Sequence, residues 1–153
     1  MRCAVKVFLA ILLGMAVLAT LIVTACFMVR PKGPRYFIHM GNRTPQMLGD
    51  VGVYYGAKIA AIKGDLVPGG YATVGFVTLP VPEEATVTWT EKSGVHHAPK
   101  VNLAGIVPTC PRNVNIWFII DKDGSVTVRS VSTDDREANQ ALLITLNPYR
   151  EKR

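Results

Sequence analysis

The segment Val7–Val29 contains no charged residue. An apolar run of this length cannot join the surface of a small soluble domain. It is long enough to cross a bilayer, which takes about 20 apolar residues. Behind it comes a short basic lead, Arg2 and Lys6, and ahead of it Pro31-Lys32-Gly33-Pro34, where two prolines and a glycine stop an apolar helix from continuing. The chain therefore divides into an apolar signal or anchor over 1–29, a linker over 30–34 and a domain over 35–153. Of 153 residues, roughly 125 remain for folding, enough for one hydrophobic core.

The end of the apolar run carries Val23-Thr24-Ala25-Cys26. An aliphatic residue three before a cysteine, with small residues between, is the pattern of a bacterial lipoprotein signal, in which the thiol is acylated and becomes the new N-terminus. Cys26 is the candidate lipidation site. A plain uncleaved transmembrane helix fits the same residues. Arg30, Lys32 and Arg35 balance Arg2 and Lys6, so charge does not choose an orientation. The same cluster suits anionic lipid head groups. Phe27, where an inner-membrane retention signal has aspartate, points toward the outer membrane. Both readings put the domain in the bacterial cell envelope, facing the periplasm.

Lys and Arg number 17 against 11 Asp and Glu, a net charge of +6. Within the domain Lys58, Lys63, Lys92, Lys100, Arg112 and Arg129 are scattered, with no basic stripe interleaved with aromatics. That excludes nucleic acid as the expected partner. Cys110 is the domain's single cysteine, so the domain has no internal disulfide and no cysteine-based metal site. Pro108 and Pro111 around it predict a partly buried loop residue.

After the linker the chain reads as short β segments. Arg35–Met40 is a strand and Gly41–Pro45 a turn. Asp50–Ile62 is one long strand or two. Tyr71–Leu79 is β-rich, and Thr86-Val87-Thr88-Trp89-Thr90 alternates as a strand with one buried face should. Val101–Val107, Val114–Ile120 and Ser125–Val131 follow, the last two joined by an Asp121–Gly124 hairpin turn. Ser132 or Thr133 is placed to cap a short C-terminal helix, with Asp134 and Asp135 in its first turn; Leu143–Leu146 also reads as a strand. The sum is a mainly β, immunoglobulin-like β-sandwich with one short C-terminal helix.

Motif by motif, the domain offers little chemistry. His96 and His97 would point to opposite faces of a strand and after Ser93-Gly94 decorate an exposed turn, with no orienting acid evident. Asp121–Ser125 resembles the start of a calcium loop, but Val126 and Ser132 occupy the positions that need glycine and an acid. Asn42-Arg43-Thr44 is a formal glycosylation sequon of low specificity. Nucleophile elbows, zinc-protease motifs, dinucleotide loops and phosphate loops are absent. The expectation is a non-enzyme without cofactor, metal or catalytic residue.

Pro68-Gly69-Gly70-Tyr71, then Leu79-Pro80 and Val87-Thr88-Trp89, followed by an aromatic strand and a hairpin, form an ordered set. Over Val51–Val131 this resembles small bacterial lipoproteins encoded beside type VI secretion phospholipase effectors. The family's cysteine pair is replaced here by Gly75-Phe76-Val77. The resemblance implies an immunity protein that binds and blocks a toxic effector enzyme. An accessory envelope lipoprotein of a secretion apparatus is the alternative, and a solute- or metal-binding module a third class. For a protein partner the candidate contact elements are the Gly64–Gly70 turn, the Glu91–Pro99 loop and the Val107–Asn113 loop. The last is stiffened by two prolines, so it loses less entropy on binding. Arg112 and Asn113 are the candidate contact residues, joined by Trp117: adjacent Trp117 and Phe118 must face opposite sides of a strand, so one of them faces outward, either to a partner or against the C-terminal helix.

Replacing Cys26 by Ser is expected to abolish fatty-acid labelling of the full chain in cells and to leave the signal uncleaved; unlabelled wild-type protein of unchanged mobility would favour the transmembrane helix.

Overall fold

The run Ile116–Ile120 is apolar at every position, so it has no face to give to water. In a computed structural model, which describes residues 33–146 and Met15, this run is the end of strand β8 (Arg112–Ile120) and is buried on both sides. Ile116, Phe118 and Ile120 enter one apolar cluster, and Trp117 and Ile119 enter a second. The apolar run and Cys26 lie outside the described residues; among those described, no helix is long and apolar enough to cross a membrane. The chain divides into two units, Met1–Lys32 and Gly33–Arg153, and the second is the sandwich.

Strand β1 (Arg35–Asn42) lies parallel to β8, with Ile38 opposite Ile116 and Met40 opposite Phe118. Tyr36, Ile38 and Met40 are fully buried between the sheets. On the other side of β1 is the antiparallel β4 (Tyr71–Val77). The Asp121–Gly124 turn, with Gly124 at φ 78°, returns the chain from β8 into β9 (Val126–Ser132). The first sheet has the order β4-β1-β8-β9.

The second sheet is built on β2 (Leu48–Tyr55) and β5 (Glu84–Glu91), with β3 (Lys58–Lys63) on the far side of β2. Asp50–Ile62 is thus two strands, turned at Gly56 with φ 60°. Ala85, Val87 and Trp89 face the core, as the alternation of this segment requires. Along the other edge of β5 run β6 (His96–His97) and β7 (Lys100–Asn102). These two keep one register against β5 and are a single strand broken at Pro99. Proline has no N–H for the ladder, but its carbonyl still accepts from Val87 N at 3.0 Å.

Several expected boundaries differ: β1 runs on through Gly41 and Asn42, expected in a turn, and β4 ends at Val77 rather than Leu79. The segment Val101–Val107 is not a strand throughout. It leaves the sheet after Asn102, whose Oδ1 accepts the Ala104 N–H at 2.8 Å. The Leu103 carbonyl then accepts from Ile106 and Val107, and this turn buries Leu103 and Val107. The helix, α1 (Arg136–Leu146), is capped by Asp135, whose Oδ1 accepts from Ala138 N at 2.9 Å. Ser132 and Thr133 do not cap it: β9 runs through Ser132, the Thr133 hydroxyl donates to Asn113 O at 3.1 Å, and both residues lie too far before the first turn. Residues 143–146 stay helical rather than forming a strand.

Asn42 joins the loops at one end of the sandwich. It is fully buried, so its amide must be satisfied within the protein. Its Nδ2 donates to Gln46 O at 2.8 Å and Leu66 O at 2.9 Å, and its Oδ1 accepts from Thr44 N and Thr44 Oγ1. The sequon asparagine is therefore a structural residue inaccessible to a glycan.

Leu142, Leu143 and Leu146 pack α1 on Trp117 and Ile119. Leu146 sits against Gly41, where an added Cβ would lie 2.5 Å from Leu146 Cδ2. Leu146→Ala is expected to cost about 2–4 kcal/mol in urea unfolding, whereas Ile144→Ala, at an exposed site, changes stability by less than about 0.5 kcal/mol.

Candidate functional site

Among the described residues, three that are not glycine have left-handed backbone: Asp50 (φ 50°), Phe76 (φ 51°) and Asn113 (φ 52°). Each lies at a register shift in its strand pair. An extra residue in one strand must leave the ladder, and left-handed backbone is one way of doing so. Aspartate and asparagine tolerate that conformation; a bulky side chain does so only at a cost of about 1–2 kcal/mol. Phe76 is therefore the anomalous one.

The surroundings of Phe76 show what the bulge achieves. Tyr36 pairs with Val77 and Ile38 with Val74, so Gly75 and Phe76 together oppose Phe37. The Phe76 ring is turned out of the ladder and is 63% exposed. It packs on Phe37 with a centroid distance of 5.0 Å, and the Arg35 guanidinium carbon lies 5.2 Å from its centroid, within cation–π range.

Arg35 also ties this aromatic pair to the next strand. Its N–H donates to Pro111 O at 2.9 Å, and it stands opposite Arg112 in the parallel ladder, one residue before the bulge at Asn113. Arg112 and Asn113 are exposed. The structure thus brings two of the sequence-chosen contact residues beside Arg35, Phe37 and Phe76, at the end of the first sheet where β1 and β8 begin. Asn113 has a second role: its carbonyl accepts from Thr133 N at 2.8 Å and Thr133 Oγ1 at 3.1 Å. Cys110, expected to be partly buried, is exposed and free next to Pro111.

Trp117 does not join this surface. Trp117 and Phe118 do face opposite sides of β8, but α1 covers the outer side, so both are buried. The indole of Trp117 stacks on His39 at 4.2 Å and 11°, with Tyr71 5.8 Å away. Burial holds the His39 imidazole below its usual pKa, against the raising effect of a side-chain hydrogen bond with Asn115. Its Nδ1 lies 2.9 Å from Thr73 Oγ1.

The histidine pair is better placed than its sequence suggests. His97 stacks on Trp89 at 4.8 Å and 12°, and its Nε2 lies 2.9 Å from Glu91 Oε1. This is the orienting acid the sequence did not reveal, supplied by a partner strand of the same sheet. Hydrogen bonding to Gln46 and His97 keeps the Glu91 carboxyl below the usual carboxylate range. His96 points the other way, with Nδ1 3.4 Å from Thr90 Oγ1. No cluster of three or more His, Cys, Asp or Glu stands ready for a metal among the described residues. Asp121 accepts from Arg43 at 3.0 Å and Thr127 at 2.6 Å, which makes it a hairpin anchor.

No protein-family model matches the chain, and no curated protein matches it. Among solved structures it is similar to a protein from Eubacterium rectale determined by NMR, at 16% identity and a TM-score of 0.44, over 70% of this chain and 98% of that one.

The strain at position 76 is measurable. Phe76→Gly removes the left-handed penalty along with the ring contacts and is expected to melt within about 0.5 kcal/mol of wild type, while Phe76→Ala keeps the penalty, loses the contacts and falls by about 1 kcal/mol. Equal losses in the two variants would show that the backbone there is unstrained.

Proposed function

We propose that this chain is an envelope-anchored protein-binding domain that neutralises a secreted antibacterial effector of the phospholipase type, as an immunity lipoprotein held by Cys26. The observation that carries the reading is Phe76: a large apolar ring, left-handed, mostly exposed and flanked by Arg35. For folding, the ring's contacts with Phe37 and Arg35 are largely offset by the cost of its left-handed backbone. Strained backbone and exposed aromatics are retained where they make contact. Aromatic and arginine side chains together are the usual centre of a protein interface, because they bury much area and can pair with carboxylates. A blocking protein needs only such a surface, with no reacting group of its own.

Arg112 and Asn113 belong to the same surface by position, and the proline-bounded loop before them limits its motion. Asn113 is left-handed, so alanine there would strain the fold; glycine removes the side chain without that effect.

The test is to sequence the genes flanking this one and to titrate the full chain calorimetrically against the phospholipase-type effector that the reading expects there; absence of such a gene would count against it. Phe76→Ala and Arg112→Ala are each expected to weaken binding by about 1–2 kcal/mol or more, and Asn113→Gly by less, with the His96/His97 double-alanine variant close to wild type. Absence of binding by the wild-type chain, or loss of protection only in the histidine variant, would overturn the reading.

A further inference from the structure

A sheet ends in strands whose outer N–H and C=O groups have no ladder partner, and proteins blunt such edges with bulges, prolines or very short strands. Among the described residues three edges are blunted in this way. β4 carries the Gly75–Phe76 bulge, β3 skips Ala60 in its pairing and has Lys58 and Lys63 at its ends, and the β6–β7 edge is broken at Pro99. The fourth, β9, ends the other side of the first sheet. Its seven residues include no proline or glycine, and it pairs with β8 from Val126 to Ser132 without a register shift.

The register fixes what this edge presents. The Thr133 N–H donates to Asn113 O and the Asp121 N–H to Ser125 O. Hydrogen-bonded and non-hydrogen-bonded pairs alternate along an antiparallel ladder. Thr127, Arg129 and Val131 therefore bond to β8, and the backbone groups of Val128 and Ser130 point outward. Arg129 stands opposite Trp117, which lies under α1, so its side chain is on the helix side of the sheet. There a groove of about 410 Å³ lies between β9 and α1, with Arg129, Val131, Ala138, Ala141 and Leu142 in its walls. Arg129 is exposed. The ion pairs of the described residues, Arg43–Asp121, His97–Glu91 and Lys100–Glu84, leave it without a carboxylate.

That charge chooses among occupants. A second copy of β9, paired antiparallel over its full length, would set the two Arg129 side chains directly opposite each other, which is destabilising, between chains that each carry +6. An extended strand with a carboxylate at that position gains the cross-strand pair instead. Its main chain bonds to Val128 and Ser130, and its side chains beside the carboxylate reach the groove, the usual division of labour in strand addition.

We propose that β9 accepts an extended segment of another protein as an added antiparallel strand, with an Asp or Glu of that segment opposite Arg129. The edge lies across the first sheet from Phe76, and the inference does not rest on the effector-binding reading.

The experiment uses the full chain in detergent micelles and three capped nonapeptides of alternating threonine and valine, with glutamate, alanine or lysine at the centre. A fourth peptide repeats the glutamate sequence with alternate amides N-methylated, which removes the donors for one strand edge. In the free chain the Val128 and Ser130 amides are expected to exchange rapidly with solvent. The glutamate peptide is expected to protect both saturably and to bind about fivefold more tightly than the alanine peptide. Arg129→Glu, at an exposed site, is expected to shift the preference to the lysine peptide without lowering the melting temperature. The N-methylated peptide is expected to bind about tenfold more weakly than its parent. Three results would overturn the proposal. The first is protection of Val128 and Ser130 in the free chain, which would mean that a second copy or another segment of this chain already covers the edge. The second is no saturable protection by the glutamate peptide, which would leave Arg129 as a guard against strand pairing and nothing more. The third is equal binding of the N-methylated peptide, which would mean that charge alone attracts it.

Discussion

The architecture follows from a strand that must be dry on both faces. With five apolar residues in succession at its end, β8 cannot serve as an ordinary sandwich strand with one wet side. Its inner face is met by the second sheet. Its outer face, with Trp117 and Ile119, needs a second cover, and α1 supplies it through Leu142, Leu143 and Leu146. Full burial of a large apolar side chain is worth about 1.5–3 kcal/mol, so this small outer core accounts for the docking of an eleven-residue helix that would be marginal alone. The helix is short, however. It ends its cover near Asn115, through the Asn115–Asn139 hydrogen bond, and the beginning of β1 is left with Phe37 beside Phe76.

Irregularities in the strands do the remaining work. The bulges at Asp50, Phe76 and Asn113 each re-aim the chain locally, and Pro99 interrupts the outer edge of β5. Such features make sheet edges poor templates for further strands. At the opposite end of β1, the Asn42 side chain closes four hydrogen bonds between its own turn and the Leu66 segment. One end of the first sheet is thus tied and polar-satisfied, and the other is open and aromatic.

Features that depend on local pattern were legible in the sequence. Strict alternation located β5 and its inward Trp89, an Asp-Gly step located the β8–β9 hairpin, and two layers with a terminal helix followed from strand count and composition. What depended on neighbours distant in the chain was not. Residues 114–120 leave Trp117 between a partner surface and the C-terminal helix, and only the fold shows α1 packed on it. The Glu91–His97 pair needed the register of a strand interrupted by proline. The cap moved from Ser132 to Asp135 because β9 continues further than its apolar residues require. Gly75 within a β-rich stretch was the one local sign of the bulge at Phe76, since a glycine inside a strand often marks such a site. The choice of Arg112 and Asn113 came from loop stiffness, and only the fold shows that they adjoin an aromatic pair.

The reading of the domain as an effector-binding module comes down to whether partners engage the uncovered end of the first sheet. Hydrogen–deuterium exchange of the full chain, alone and with the phospholipase-type effector, measures this directly. The account predicts new protection over 35–37, 74–77 and 111–115, with β3 and the β6 edge unchanged. Protection confined to β3 or to the His96–His97 strand, with residues 74–77 exchanging as freely as before, would contradict it.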